Sequence, residues 1–530
     1  MPELYDAIVV GAGHNGLACA CYLAKAGLKV LVLEAYHTIG GMTLTEELTL
    51  PGFKSDVHAS GYQLANLSPA PAELELAKHG LELIKPDLVY AHAFPYGGCV
   101  AVSRNLERTL ASIGRYSKKD AETWRAIFQH YLEQRERIIA SLFSPPPSFS
   151  AEAAAMERTA GGMDQYRFGL QSMRSWSNEM FETEEIKCLL GAFAVFVGHA
   201  PDDAGGAQIA WLFATVLQAE GNNLVKGGMQ NVSLALASYL RSQRGEIRTS
   251  AKVDKIQIKA GRATGVRLNT GEEIPVGQLV ASSVDPAQLV LRLLGEEIVG
   301  PEVARKMKRY EWGESTLVIY AALDGPVEYR AGSEAGAAAH VHLTPASLDS
   351  LARASDECRA GKLPATPLVV SWNDSVIDPG RAPKGKHLKK LVVLGMPYEI
   401  NGDATGKVTG QHWDEVKEQY ADYLIDMIVA DYIPDFKAKT LKRVVHSPVD
   451  LERKLSSAVR GTICHGAMLP YQSGSMRPIP ELGHYRTPVA NVYLCGSGSH
   501  PGAGVSMAAG RNAAQIICQD LTLDFRGGAG

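Results

Sequence analysis

The N-terminal residues contain the feature that most constrains the fold, a short apolar segment followed at once by three glycines. Residues 6–10 predict a buried strand of a parallel sheet, and Gly11, Gly13 and Gly16 follow it with the spacing G-x-G-x-x-G. In this motif the first glycine allows a tight turn, the second lets the backbone approach a pyrophosphate, and the third lets the next helix pack on the strand. The pattern therefore predicts a doubly wound α/β sheet with a dinucleotide at its edge.

The residues after the glycines complete this unit in the expected order. A helix over residues 15–26 points its free N–H groups at a bound phosphate, and a second strand over residues 28–33 ends at Glu34. An acidic residue there accepts hydrogen bonds from ribose hydroxyls and disfavours a 2′-phosphate, so we expect a dinucleotide other than NADP. His14, inside the loop, either faces the pyrophosphate or caps the helix, and the sequence leaves both interpretations open.

Composition narrows the class of protein and its partners. The chain has 530 residues, which predicts two or more domains, and a net charge of −4, so we expect no nucleic-acid partner. Its eight cysteines form no C-x-x-C pair and no metal-ligand spacing, which predicts no metal site and a reducing cytoplasm. The first strand begins within six residues of Met1, so we expect no secretory signal.

Two apolar stretches, residues 189–197 and 209–217, are each too short to span a membrane. The simplest interpretation is a pair of buried core helices. The alternative is that they form the wall of an apolar substrate tunnel, or a surface that rests on a bilayer. Further along the chain, alternating polar and apolar residues predict a three-stranded meander over residues 253–280, and glycines flank a last strand at 492–494 and a helix at 504–517.

Several motifs along the chain carry a family resemblance. They are GAGHNGL at 11–17, APKGKH at 382–387, SPVDLE at 447–452, MRPIPELGHYRTP at 476–488 and GSGSHPGAGVSMAAGRNAA at 496–514. In these motifs the sequence resembles the bacterial phytoene desaturase and β-carotene ketolase branch of the FAD-dependent amine-oxidase-like superfamily. The resemblance implies an α/β fold, with a Rossmann-type (GR2-like) FAD-binding domain interleaved with a mixed α+β substrate domain.

The resemblance also implies domain boundaries and the residues that bind FAD. The FAD-binding domain would comprise residues 1–115, 221–300 and 451–522, the substrate domain 116–220 and 301–450, and a flexible tail 523–530. The residues implied to bind FAD are Gly11, Gly13, His14, Asn15, Gly16, Glu34, Ala35, Gly41, Met42, Thr43, Ser60, Val253, Gly496, Ser497, Val505 and Ser506. Two positions depart from many relatives, which have a basic residue at Met42 and an acidic one at Ser497.

Three residues near the C-terminal motif are candidates for catalysis. His465 is a candidate proton acceptor or a satisfied core histidine, and Arg477 either holds a polar group or the flavin edge or pairs with Glu481. His500 is expected close to the isoalloxazine, or only shapes the turn. Cys464 and Cys495 offer thiols for covalent attachment, but no attachment motif accompanies them, and we expect non-covalent FAD.

The family resemblance leaves four functions open. The first is dehydrogenation of a largely apolar, carotenoid-, lipid- or aromatic-like substrate by hydride transfer to flavin N5, with O2 or a quinone as the electron acceptor. The second is an amine oxidase, which would need an aromatic cage around the flavin. The third is a redox-neutral polyene isomerase, and the fourth is a non-enzymatic lipid-binding chaperone of the same fold. A cytoplasmic protein, with or without peripheral membrane contact, fits the sequence.

Overall fold

The structure is a computed structural model that describes residues 4–343, 345 and 347–525. The strands are, in chain order, β1 (Tyr5–Val10), β2 (Val30–Leu33), β3 (Thr45–Glu46), β4 (Ser55–Asp56), β5 (Leu83–Ile84), β6 (Leu88–Ala93), β7 (Cys99–Ser103), β8 (Leu224–Val225), β9 (Glu246–Arg248), β10 (Val253–Lys259), β11 (Arg262–Leu268), β12 (Glu273–Ser282), β13 (Ser315–Leu323), β14 (His340–Leu343), β15 (Lys362–Leu363), β16 (Val369–Trp372), β17 (His387–Met396), β18 (Gly402–Asp403), β19 (Thr440–His446) and β20 (Val492–Leu494).

The helices lie between these strands, and most of those over residues 115–215 follow one another directly. The α-helices are α1 (His14–Lys25), α2 (Ala70–Glu73), α3 (Leu106–Gly114), α4 (Lys118–Leu142), α5 (Phe149–Arg158), α6 (Gly162–Leu170), α7 (Met173–Met180), α8 (Glu184–Phe196), α9 (Gly206–Glu220), α10 (Gln230–Ser242), α11 (Glu296–Val299), α12 (Pro301–Lys308), α13 (Ser333–Ala337), α14 (Leu348–Arg359), α15 (Asp374–Ile377), α16 (Trp413–Leu424), α17 (Ala430–Tyr432), α18 (Phe436–Lys439), α19 (Pro448–Lys454) and α20 (Ala508–Leu521). Two π-helical segments, Gln288–Gly295 and Ile425–Val429, adjoin α11 and α16.

The first large sheet is the predicted parallel sheet. Its parallel strands run in the order β9-β2-β1-β12-β20, and β1 is in register with β2 on one side and β12 on the other. The antiparallel meander β10-β11-β12 extends from the same strand β12, as the alternating pattern predicts. The carboxyl ends of β1, β2 and β12 meet at one edge, where ligands bind in sheets of this kind.

Helices cover one face of this sheet, and the meander, the π-helical segment Gln288–Gly295 and α12 pack on the other. Helices α1, α10 and α20 share a core with residues of β1 and β2. A Cβ atom at Gly510 would collide with the carbonyl oxygen of Asn15, so glycine is what allows α20 to pack closely against α1. The two ends of the chain therefore meet beside the first glycine loop.

The second large sheet has the strand order β19-β13-β17-β16-β14-β6-β7 and is mostly antiparallel. One of its faces packs on α16 and neighbouring helices, and the other on α4, α8 and α9. Strands β6 and β7, which lie inside the segment 1–115, belong to this second sheet. That segment therefore contributes to both sheets, because the pairing of β6 with β14 joins residues far apart in sequence.

The structure differs from the sequence expectations near the C-terminus. The helix predicted from residue 504 begins at Ala508, because Gly504 and Met507 have positive φ angles of 115° and 63° that a helix does not allow. Leu523 and Phe525 of the predicted tail pack against the core around α1, and residues 526–530 lie outside the described residues. Within the described part of the chain, no helix is long and apolar enough to cross a bilayer.

Candidate active site

A cavity of about 500 Å³ lies between the carboxyl edge of the first sheet, helices α8 and α9, and the second sheet. Its volume is within the usual range for ligand sites. Most of the residues predicted to bind FAD line it, namely Gly11, Gly13, His14, Asn15, Gly16, Glu34, Ala35, Gly41, Met42, Ser60, Val253, Ser497, Val505 and Ser506. Of the three catalytic candidates, His465 lines it and Arg477 and His500 do not.

The three positions of the first loop require glycine for different structural reasons. Gly11 has a φ of 98°, and a Cβ atom at Gly16 would collide with the Gly11 carbonyl oxygen. The fold of the chain therefore requires glycine at both positions, independently of any ligand. A Cβ atom at Gly13 would meet only the Gly40 carbonyl oxygen, at 4.0 Å, and would otherwise point into open space. Gly13 therefore leaves room beside the N-terminus of α1 that a side chain would fill, as a pyrophosphate requires.

Glu34 is held rigidly at the end of β2. Its carboxylate accepts hydrogen bonds from the backbone N–H groups of Ala12, at 2.7 Å, and Tyr36, at 2.8 Å. Burial raises the pKa of this carboxyl, while the backbone donors oppose the shift. A carboxylate has about four lone-pair sites, so acceptor capacity is left for ligand hydroxyls. The geometry therefore fits the adenosine ribose of FAD.

His14 and Asn15 connect the N-terminal loop to the C-terminal one. The Nε2 atom of His14 lies 3.1 Å from the carbonyl oxygen of Gly504, and Asn15 Nδ2 donates to Ser497 Oγ at 3.0 Å. Helix α1 has no side-chain N-cap, so His14 is not the cap that the sequence allowed. Burial lowers the pKa of His14 to about 4, so its imidazole is neutral and donates to the carbonyl.

Two residues implied to bind FAD lie behind the cavity wall. The Thr43 hydroxyl donates to the Gly40 carbonyl at 2.8 Å and pairs with Ser233 Oγ at 2.7 Å. A Cβ atom at Gly496 would lie 2.5 Å from the backbone oxygen of Ser283, so this glycine serves strand packing. Neither residue lines the cavity. Direct contact of FAD with these two side-chain positions stays a prediction.

His465 is the catalytic candidate that faces the cavity. Its φ of 50° is unusual for a residue other than glycine, and its Nδ1 atom is buried without a hydrogen-bond partner among the described residues. Burial lowers the pKa of His465 to about 4, and the positive charge of Arg477 acts in the same direction. A neutral imidazole therefore presents an unpaired nitrogen near the ligand space.

Arg477 is fully buried and holds the loop that carries His465. Its guanidinium donates to the backbone carbonyls of Ser497, Ala467, Gln472 and Cys464 at 3.0, 3.1, 3.2 and 2.8 Å. The suggested pairing with Glu481 is wrong, because Glu481 forms an ion pair with Lys306 instead. We therefore assign Arg477 to shaping the cavity wall, since its donors are used by carbonyl groups.

Of His500, Cys464 and Cys495, which the sequence also singled out, Cys464 alone lines the cavity. His500 Nε2 lies 2.8 Å from the carbonyl oxygen of Ser141 at the end of α4, and His500 is not among the cavity-lining residues. Its placement fits the alternative that it shapes the turn. Cys464 lines the cavity and burial raises the pKa of its thiol to about 11, whereas Cys495 is buried in the core around α1.

A group of apolar side chains forms one part of the cavity lining. Helices α8 and α9 supply its aromatic and aliphatic side chains from the two stretches that the sequence singled out, and the second sheet supplies others. The residues of this apolar wall are Phe196, Val197, Ile209, Leu212, Phe213, Val318, Trp372, Val392 and Leu394. The wall residues from β13, β16 and β17 were not predicted from the sequence, because a strand residue facing a cavity has the same apolar pattern as one facing a core.

Comparison with known proteins agrees with this geometry. Residues 16–518 match the family described as flavin containing amine oxidoreductase. The chain is 32% identical to pyridine nucleotide-disulfide oxidoreductase domain-containing protein 2 of Rattus norvegicus, over 98% of this chain and 94% of that protein. It is 28% identical to a subunit of limonene dehydrogenase from Castellaniella defragrans (98% and 95% covered) and 27% identical to hydroxyneurosporene desaturase of Cereibacter sphaeroides (97% of each).

Solved structures share the fold. Cyclohexylamine oxidase from Brevibacterium oxydans aligns over 98% of this chain and 100% of its own, with a TM-score of 0.59 and 16% identity. The matched family and the desaturase and dehydrogenase relatives agree with the predicted branch and with FAD as the cofactor, and the residues that line the cavity fit that cofactor. The chain belongs to the flavin-containing amine oxidoreductase family, in its phytoene-desaturase-like branch, and is an FAD-dependent oxidoreductase.

Proposed function

We propose that this oxidoreductase dehydrogenates a largely apolar substrate of the carotenoid, terpene or other lipid-like class. The proposal rests on the apolar wall. This wall buries a substrate and holds it by its shape, and it offers few polar contacts. FAD, when bound at the glycine loop, supplies the hydride acceptor for such a reaction. The names of the limonene dehydrogenase and hydroxyneurosporene desaturase relatives support the same substrate class.

The protein's own residues have separate tasks in this reaction. Gly13 and Glu34 hold the nucleotide end of the cofactor, and Arg477 fixes the loop on which His465 faces the ligand space. The apolar wall excludes water and positions a hydrocarbon by its shape. We expect FAD to be held without a covalent bond, because burial keeps the Cys464 thiol protonated and unreactive.

Oxidation of amines is less well supported by the cavity. An amine cation needs a carboxylate or another anionic partner once it leaves water. Among the described residues that line the cavity, the only carboxylate is Glu34, which lies at the nucleotide end and is already bonded to two backbone N–H groups. The aromatic residues Phe196, Phe213 and Trp372 line the cavity without a carboxylate among the described lining residues beside them.

A substitution in the apolar wall tests the proposal. Leu212→Asp places a carboxylate among apolar side chains at a cost of about 3 kcal/mol, which corresponds to about a 100-fold loss of kcat/KM for an apolar substrate. The matched control is Leu132→Asp on the outer face of α4, where the leucine is 44% exposed. Anaerobic reduction of the flavin by isoprenoid hydrocarbons is the assay. Equal rates in wild type and Leu212→Asp would contradict the proposal.

Delivery of such a substrate suggests contact with a lipid surface. Helices α5 and α6 expose Phe149, Met163, Tyr166 and Leu170, and α6 packs on α9, which contributes to the apolar wall. We therefore propose peripheral contact of this helix pair with a bilayer. Co-sedimentation with phosphatidylcholine vesicles should be lost in Met163→Glu/Tyr166→Glu and kept in the control Leu234→Glu, which changes an exposed leucine on α10. Retention of vesicle binding by the double variant would contradict the proposed membrane contact.

The electron acceptor that we expect is O2 or a quinone. The sequence offers one G-x-G-x-x-G loop of the kind that binds a dinucleotide, and this loop is assigned to FAD. Reoxidation of the reduced enzyme, mixed separately with oxygenated buffer and with a soluble quinone, identifies the faster acceptor. Reoxidation by NAD or NADP alone would contradict this expectation.

A further inference from the structure

A buried lysine stands directly behind the polar part of the cavity wall. Alternate residues of β17 share one face of the sheet, and on this face Val392 and Leu394 line the cavity. Lys390 is the next residue of the same row and is fully buried. Its ammonium donates to the Ser60 hydroxyl at 3.1 Å and to the carbonyl of His58, and both of these residues line the cavity.

The charges around Lys390 are balanced within the protein. Arg381 pairs with Asp56 at 2.9 Å and lies 3.8 Å from Asp374, and all three residues are buried. Burial lowers the pKa of Lys390 to about 8, with Arg381 acting in the same direction and the two carboxylates opposing it. Neither carboxylate oxygen of Asp374 has a hydrogen-bond partner among the described residues. The site therefore tolerates Lys390 in either protonation state near neutral pH.

We propose that Ser60 and Lys390 form a proton relay that opens onto the cavity, with Ser60 as the group that meets the substrate and Lys390 as the positioning residue behind it. The inference rests on the dehydrogenation proposed above. Removal of two hydrogens from neighbouring carbons releases one as a hydride and the other as a proton. The relay gives the proton a destination within the protein.

The relay step moves one hydride and one proton away from two neighbouring carbons. One carbon gives up a hydride to the oxidant, the C–H bond on the neighbouring carbon breaks, and its electron pair becomes the π bond of the new alkene. The released proton passes to Ser60 Oγ while the Ser60 proton passes to the neutral amine of Lys390. The ammonium so formed is the state in which Lys390 donates to Ser60 and to the His58 carbonyl.

His465 also faces the cavity, but its surroundings suit it less well as the final proton acceptor. The positive charge of Arg477 opposes its protonation, in addition to burial. Lys390 instead lies near the carboxylates of Asp56 and Asp374, which stabilise a positive charge. The lysine is therefore the better final acceptor for the proton.

The chain offers a matched control one residue away. Lys389 is also buried, but its ammonium donates to the Tyr329 hydroxyl at 3.0 Å and to Asn373, on the other face of β17. We compare Lys390→Met, Ser60→Ala and Lys389→Met as holoenzymes. The readouts are the visible flavin spectrum as a function of pH without substrate, and the pH dependence of anaerobic flavin reduction by an isoprenoid.

We expect the wild type and Lys389→Met to show a spectral titration near the pKa of about 8 of Lys390, with reduction faster above it. Lys390→Met should lose the spectral titration and the pH dependence of flavin reduction. Ser60→Ala should keep the spectral titration, but its flavin should be reduced about 100-fold more slowly. Ser60 is also one of the residues implied to bind FAD, so the FAD affinity of Ser60→Ala is measured in the same samples, and a loss of affinity would assign Ser60 to the cofactor and overturn the relay. Ser60→Ala removes only a hydroxyl, so it tests the relay even if Lys390→Met does not fold.

Two further results would overturn the relay. One is a titration near that pH that persists in Lys390→Met, and the other is equal reduction rates in wild type, Lys390→Met and Ser60→Ala. These outcomes differ from failure of the proposed function, in which no apolar compound reduces the wild-type flavin at all.

Discussion

Replacing Arg477 by lysine separates a structural role of this residue from a catalytic one. Arginine has five N–H donors and lysine three, and the four shortest hydrogen bonds of Arg477 go to four different backbone carbonyls. Each buried carbonyl left without a donor costs about 1 to 3 kcal/mol. A lysine that serves two of the four therefore lowers the free energy of unfolding by about 2 to 6 kcal/mol.

Urea unfolding followed by tryptophan fluorescence measures this loss, with FAD release recorded in the same samples. Arg486→Lys is the control, because that arginine pairs with Asp520 at the surface and should change stability by less than about 1 kcal/mol. The structural role of Arg477 would be refuted if Arg477→Lys unfolds at the same urea concentration as the wild type and yet its flavin is reduced far more slowly. Such a result would place the guanidinium at the substrate.

Further predictions concern the cofactor loop and the response to acid. Gly13→Ala should keep the unfolding temperature of the apoprotein but bind FAD more weakly, because the new methyl group points into the cavity. Gly16→Ala should lower both the unfolding temperature and the FAD affinity, because its methyl group collides with Gly11. FAD affinity equal to wild type in Gly13→Ala would contradict the assigned pyrophosphate position. Burial holds the pKa of His500 at about 4, below its ordinary 6.5, so its contribution to stability is present above pH 6.5 and is lost as the pH falls towards 4. The melting temperature of His500→Gln should therefore fall less steeply over this range, and equal slopes would contradict the assignment.

The parts of the fold that could be predicted from sequence are those with a local signal. The glycine spacing after residues 6–10 and the terminal Glu34 define a strand, a loop, a helix and a second strand, and the structure confirms each of them. The meander over residues 253–280 follows from period-two alternation and is also present. These signals lie within about thirty residues of chain and depend little on distant contacts.

The remaining features depend on contacts between distant residues. Strands β6 and β7 join the second sheet through β14, and no local pattern distinguishes that sheet from the first. The role of Arg477 is set by carbonyl groups of two separate loops, which a sequence motif does not reveal. Lys389 and Lys390 read as ordinary strand lysines, and only the folded chain shows that both are buried and that one adjoins the cavity.

The most direct test of the central claim is anaerobic titration of the purified holoenzyme with two panels of compounds, isoprenoid hydrocarbons and primary amines. We expect an apolar compound to bleach the visible flavin band and to yield a product lighter by two hydrogen atoms. We also expect acid precipitation to release the flavin into the supernatant. Bleaching by amines alone, or a protein that binds no flavin even when FAD is added, would contradict the assignment of an apolar substrate and a bound FAD.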